Sequence, residues 1–142
     1  MRTARRRSRE FALQGIYSWL MAKGALPAVQ SQFQETKGFD KVDAEFFDRL
    51  VAGTIGDAEA LDLALAPVLD RRPDELSPVE HAVLLLAAFE LREFPDVPYR
   101  VVINEAIELA KSYGGTDGHK FVNGVLDKLA RRLRTDEARA HA

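Results

Sequence analysis

The chain contains no cysteine. That excludes a disulfide framework and any thiolate metal site, and nothing in the composition opposes a reducing cytoplasm, where the protein is expected to reside. There is also no apolar stretch long enough to span a bilayer. Residues 11–22 follow a basic start, as the apolar part of a secretion signal would. However, Gln14, Ser18 and Lys23 interrupt the pattern, and Glu10 stands where an uninterrupted basic-to-apolar transition is needed. No alternation of apolar residues between turn signals marks a strand, and no internal repeat is found.

Signatures of catalysis are absent too. An inward-facing metal carboxylate site in a helical bundle needs Glu-x-x-His pairs, and none occurs. His81 and His119 have no second histidine at ligand spacing. Glu105 and Glu108, one helical turn apart, read as solvated or capping carboxylates. No phosphate-cradling glycine loop, Gly-x-Ser-x-Gly elbow or Cys-x-x-Cys occurs, so no cofactor is expected. The chain reads as a binding module and not an enzyme.

Its 142 residues, 46% hydrophobic and 30% charged, suit one domain spanning 1–142 with a core of its own. Charge is unevenly placed. The first nine residues hold Arg2, Arg5, Arg6, Arg7 and Arg9 and no acid, residues 10–118 carry a net −10, and residues 119–142 carry +3. A basic arm (about 1–9) and a basic end around an acidic middle suggest one surface for phosphate and another for a basic partner. A bare Arg run is as readily a solubilising tail or a cloning remnant. Here it runs into a helix: Ala12, Ile16, Trp19 and Leu20 form one apolar stripe, and Arg6, Glu10, Leu13 and Tyr17 a neighbouring ridge. The arginines are thus expected against the body of the protein, with the Tyr17 ring nearby for base stacking.

Helical periodicity continues throughout, so an all-α fold is expected. A first helix covers about Ala4 to Ala22, and Gly24 and Pro27 punctuate before a short second helix from Ala28 to Glu35. Asp40 or Asp43 caps a long third helix carrying Phe47, Leu50, Ile55, Ala58, Leu61 and Leu65. Gly53 and Gly56 weaken its middle and Pro67 kinks or stops it. Ser77, Pro78 and Glu80 form a capping-box signal before an almost wholly apolar run from Ala82 to Leu91. Next comes a helix after Pro98 with Val102, Ile103, Ala106, Ile107 and Ala110 inside, closed by Gly114 and Gly115. The last helix starts near Thr116 or Asp117, with Val122, Val125, Leu126, Leu129 and Leu133 as its stripe. It frays into a polar tail over about 135–142. At its start, Lys120 and Phe121 again set a cation beside a ring, where free helix amides favour phosphate. Phe121 lies at the stripe's edge, so the pattern leaves it between a core place and a stacking surface.

The order Arg5-Arg6-Arg7-Ser8-Arg9-Glu10, Gln14 and Tyr17-Ser18-Trp19 resembles the opening of the NusB family of bacterial transcription antitermination factors. Val97-Pro98-Tyr99, Asn104 to Lys111 and the specific block His119-Lys120-Phe121-Val122-Asn123-Gly124-Val125-Leu126-Asp127 resemble it as well. So does Ser77 to Leu91. The match covers essentially the whole chain, departing only at Gly118 and in the long, Ala-rich tail after Arg134.

The resemblance implies a compact helical domain of about six to seven helices in two packed small bundles. It also implies non-catalytic binding of single-stranded boxA RNA from ribosomal RNA leader transcripts, together with the ribosomal small-subunit protein NusE, in the RNA polymerase elongation complex. By matching position, its RNA face comprises Arg5, Arg6, Arg7, Arg9, Tyr17, Lys120 and Phe121, with Glu80 and Asp117 associated with the complex. If about 4 to 5 cations meet phosphates, roughly −0.7 per contact gives a slope of log K against log salt near −3. The resemblance also allows a homodimer formed through the RNA face. The other readings are a purely protein-binding helical adaptor, or an accessory domain related to ribosomal RNA cytosine methyltransferases. Intrinsic methylation needs a Rossmann-type domain and a nucleophilic cysteine, and these 142 residues supply neither.

Overall fold

The computed structural model describes residues 3–23, 26–115 and 117–140. Arg2 of the basic tract, Gly24, Thr116 and the last two residues of the tail lie outside them. Among the described residues there are eight α-helices, three short 3-10 turns and no strand. The helices are α1 (Ala4–Ala22), α2 (Leu26–Ser31), α3 (Ala44–Gly56), α4 (Ala58–Leu65), α5 (Pro78–Glu93), α6 (Tyr99–Tyr113), α7 (Gly118–Leu133) and α8 (Thr135–Ala140). None is long and apolar enough to cross a membrane.

The apolar run is the hub. Every residue from Ala82 to Leu91 of α5 is buried, including Glu90. On one side α5 meets α1 and α3, with α2 packed on both; on the other it meets α6 and α7, with α4 alongside. Two small groups of helices thus share one central rod, as a helix that is apolar all round requires.

Caps fix where these helices begin. Thr3 Oγ1 accepts the Arg6 amide at 3.0 Å, so α1 starts directly before the arginines. Asp43, not Asp40, caps α3, its carboxylate accepting the Phe46 amide at 3.1 Å. The Ser77 hydroxyl accepts the Glu80 amide at 3.2 Å and donates to the Glu80 carboxylate at 2.7 Å. Buried Ser8 ties α1 to the start of α3, accepting the Asp43 amide at 2.9 Å.

Several sequence expectations are corrected. The second helix is Leu26–Ser31, six residues long with Pro27 inside it, and turns follow in place of a helix to Glu35. The long third helix is two helices, broken at Asp57 just after Gly56. Gly53 has a packing role: a Cβ there would stand 2.0 Å from the Phe89 ring, so its missing side chain lets α3 close on α5. On α1, Trp19 and Leu20 are only half-buried, while Phe11 and Leu13 join Ala12 and Ile16 in the core. Leu109 is buried on α6 and Ile107 half-buried; on α7, Ala130 is buried and Leu133 exposed.

The tail does not simply fray. The buried Arg134 guanidinium donates to the carbonyls of Leu91, Val97 and Phe94 at 2.7 to 2.8 Å, taking up acceptors around the end of α5. It also donates to Glu137, whose carboxylate accepts the Tyr99 amide at 2.8 Å. Residues 135–140 are therefore held as α8.

Candidate nucleic-acid interface

An α-helix turns 100° per residue, so Arg5, Arg6, Arg7 and Arg9 at the start of α1 cannot share one face. Arg9 points inward. It is 5% exposed, its Nε donates to Glu90 at 2.9 Å, and Nη1 donates to Glu105 at 3.4 Å. Arg6 lies at the rim, gripping Glu105 through Nε at 3.0 Å and Nη2 at 2.6 Å. That bonded carboxylate pushes the Arg6 pKa above its ordinary value. Glu105, read as a solvated or capping acid, is instead the counter-ion of two arginines.

Arg5 is exposed and Arg7 is half-buried. Arg5 stacks 4.3 Å from the centre of the Phe46 ring, with Asp43 3.8 Å from its Nε. Arg7 makes no ion pair among the described residues and lines a groove with Lys37, Thr36 and Tyr113. Lys37 is an exposed cation that the sequence reading missed, brought there by the turns after α2.

Three grooves follow one another along α1. The first, about 120 Å³, lies among Arg6, Arg9, Glu10, Glu105 and Glu108. The second, about 240 Å³, is that of Arg7 and Lys37, and shares Glu10 with the first. The third, about 260 Å³, shares Gln14 and Tyr113 with the second and reaches Tyr17 and Val79. Val79 adjoins Glu80, against which the start of α7 packs: a Cβ on Gly118 would lie 3.6 Å from the Glu80 side chain. From there α7 carries Lys120 and Phe121. The second and third grooves thus form one strip along α1, which ends near the start of α7.

Tyr17 is 37% exposed, a ring on the surface as its ridge suggested. Phe121 is half-buried and packs on the core's edge, with the Arg71 guanidinium 4.3 Å from its ring centre. Arg71 is in turn bonded by Asp70 at 2.7 Å, and that bond holds the Asp70 carboxyl below its usual range. Nothing in the sequence links residue 71 to residue 121; only the fold does. Lys120 is exposed beside Asp117, 3.4 Å away, and Asp117 provides no side-chain cap to α7. Glu80 is engaged with Ser77 at the α5 cap. Tyr113, 40% exposed, was also missed, although an aromatic residue just before Gly114-Gly115 is a visible cue.

The NusB family model matches residues 6–131. The transcription antitermination protein NusB of Paraburkholderia phytofirmans is 57% identical over 140 residues, 99% of this chain and 97% of that protein. Among solved structures, NusB of T. maritima superposes with a TM-score of 0.84 at 30% identity, covering 99% of both chains. A crystal structure of the antitermination factors NusB and NusE in complex with dsRNA superposes with a TM-score of 0.77 at 25% identity, over 91% of this chain and 97% of that one. Identity of this order over nearly the full length, together with the same helical fold, places the chain in the NusB family.

Proposed function

We propose that this protein is a cytoplasmic, single-domain, non-catalytic transcription antitermination factor that binds the boxA element of ribosomal RNA leader transcripts jointly with NusE, as part of the RNA polymerase elongation complex. The observation that carries this reading is the strip of grooves along α1 from Arg7 and Lys37 to Tyr17 and Tyr113, ending near the helix start that carries Lys120 and Phe121, with Arg5 exposed on the same helix. It alternates cations for phosphate with rings for bases, the combination a nucleic-acid strand requires. Membership of the family supports it, as does the fold shared with a NusB that assembles with NusE and dsRNA. Arg9 is left out of the contact set because its guanidinium is buried, and Lys37 is added.

The test is a titration with a boxA-like strand, single and paired, with and without NusE, against a scrambled strand. Preference for boxA and tighter binding with NusE are expected, because two ligands sharing a composite surface are thermodynamically coupled. Equal affinity for the scrambled strand rejects the boxA reading, and equal affinity with and without NusE rejects joint binding. To separate RNA binding from a purely protein-binding adaptor, Arg5→Ala with Arg7→Ala is preferable to removing residues 1–9, since Ser8 and Arg9 are structural. Self-association as a homodimer through the strip would compete with RNA, and sedimentation with and without the strand reads it.

A further inference from the structure

The third groove has the build of a receptacle more than of a track. Tyr17 of α1 and Tyr113 at the end of α6 are both partly exposed rings on its border, and buried Leu13 and half-buried Val79 supply its apolar lining. At about 260 Å³ it is smaller than the roughly 300 Å³ at which pockets for drug-sized ligands begin, which suits one flat ring system.

Its polar border is ordered. The Gln14 amide Nε2 donates to the Glu10 carbonyl and to the Tyr113 hydroxyl, both at 3.3 Å. Because a backbone carbonyl can only accept, the Gln14 amide orientation is fixed, and Oε1 is turned away as an unused acceptor among the described contacts. The Gln32 amide donates to Ser18 Oγ at 3.1 Å, leaving a second amide oxygen without a described partner. Two amide acceptors beside two hydroxyls, next to a cationic groove, are suited to a base edge that offers an amino group.

We propose that this hollow between Tyr17 and Tyr113 takes one unstacked nucleobase of the bound RNA and favours bases with an exocyclic amino group over uracil. The proposal rests on the RNA-binding reading above and adds to it a specificity pocket, with Tyr113, Gln14 and Gln32 as its new members. Sequence-selective RNA recognition generally works this way, on bases splayed out of the stack.

The experiment titrates the full chain with a bound RNA strand and a series of that strand, each member carrying a single abasic site. The wild type is expected to lose about tenfold in affinity at one position, as one stacked base contributes. Tyr113→Ala should bind the intact strand about tenfold more weakly and show no further loss at that position. Its salt dependence should stay that of the wild type, because no phosphate contact is removed. Gln32→Leu, at an exposed position, should reduce the preference for cytosine over uracil at that position at least threefold. If Tyr113→Ala, folded by circular dichroism, binds like the wild type or keeps the same position-specific loss, the pocket is overturned. Equal affinity for cytosine and uracil in the wild type overturns the amino preference. RNA binding with no position-dependent loss overturns this proposal and leaves the function standing, whereas absence of binding to every strand overturns both.

Discussion

Where a charge goes depends on the helix that carries it, and Arg9 is the plainest case. It lies in the same basic tract as Arg7 and two positions along, yet it is buried against Glu90, itself 2% exposed. Removing one partner of such a pair leaves the other uncompensated in the interior. Glu90→Ala should therefore lower the unfolding free energy by about 3 to 5 kcal/mol, measured by urea titration. A change under about 1 kcal/mol would show that Glu105, also bonded to Arg9, compensates fully. The rings give the opposite signature. Tyr17→Ala and Phe121→Ala should each weaken RNA binding about tenfold, in line with one stacked base. Both rings are incompletely buried, so each should lower stability by less than about 2 kcal/mol. A variant that unfolds readily while its folded fraction binds normally removes that residue from the interface. Tyr17 was legible because its ridge neighbours Arg6 and Glu10 are polar. Phe121 was not, because the Arg71 that covers it arrives from another part of the chain.

Among the elements, α5 was the most legible and the α3–α4 region the least. A serine, a proline and a glutamate before ten buried residues make a local signal that tertiary structure only confirms. The break at Asp57 had a weaker sign: Gly53 and Gly56 marked a soft middle, but the apolar period runs straight across it, so one helix was expected where there are two. Gly53 and Gly56 looked alike in the sequence and differ in space. At Gly53 an added methyl group would meet the Phe89 ring at 2.0 Å, and overpacking of that kind costs about 1 to 3 kcal/mol. At Gly56 the space is open and φ is not positive, so Gly56→Ala should stabilise by about 0.4 to 1 kcal/mol through the unfolded chain. Thermal melts of the two variants should thus move in opposite directions, and parallel shifts would show that α3 does not pack on α5 as described. At the other end, α8 escaped the sequence reading because its anchor is a single arginine: Arg134 looks like tail charge until its three carbonyl partners are seen.

Across the whole molecule the net charge is only −2, so any attraction to RNA depends on where the cations stand. Composition had suggested a slope of log K against log salt near −3 from the basic ends alone. The fold changes the membership and nearly preserves the number. Arg9 is withdrawn into the core and Arg6 is held by Glu105, while Lys37 joins Arg7 on the strip and Arg5 and Lys120 are exposed cations of α1 and α7. About four contacts at roughly −0.7 each again give a slope near −3. The distinction lies in which residue changes it. Lys37→Ala, on an exposed turn, should flatten the slope by roughly 0.7, one phosphate contact. Arg139→Ala should leave it unchanged, because α8 lies by Tyr99 at the far end of α6 from Tyr113. Glu105→Gln should steepen it by about the same 0.7 by releasing Arg6 to a phosphate. Equal slopes for the wild type and Lys37→Ala would move the backbone path off the second groove, and an unchanged slope in Glu105→Gln would place Arg6 out of reach of the strand.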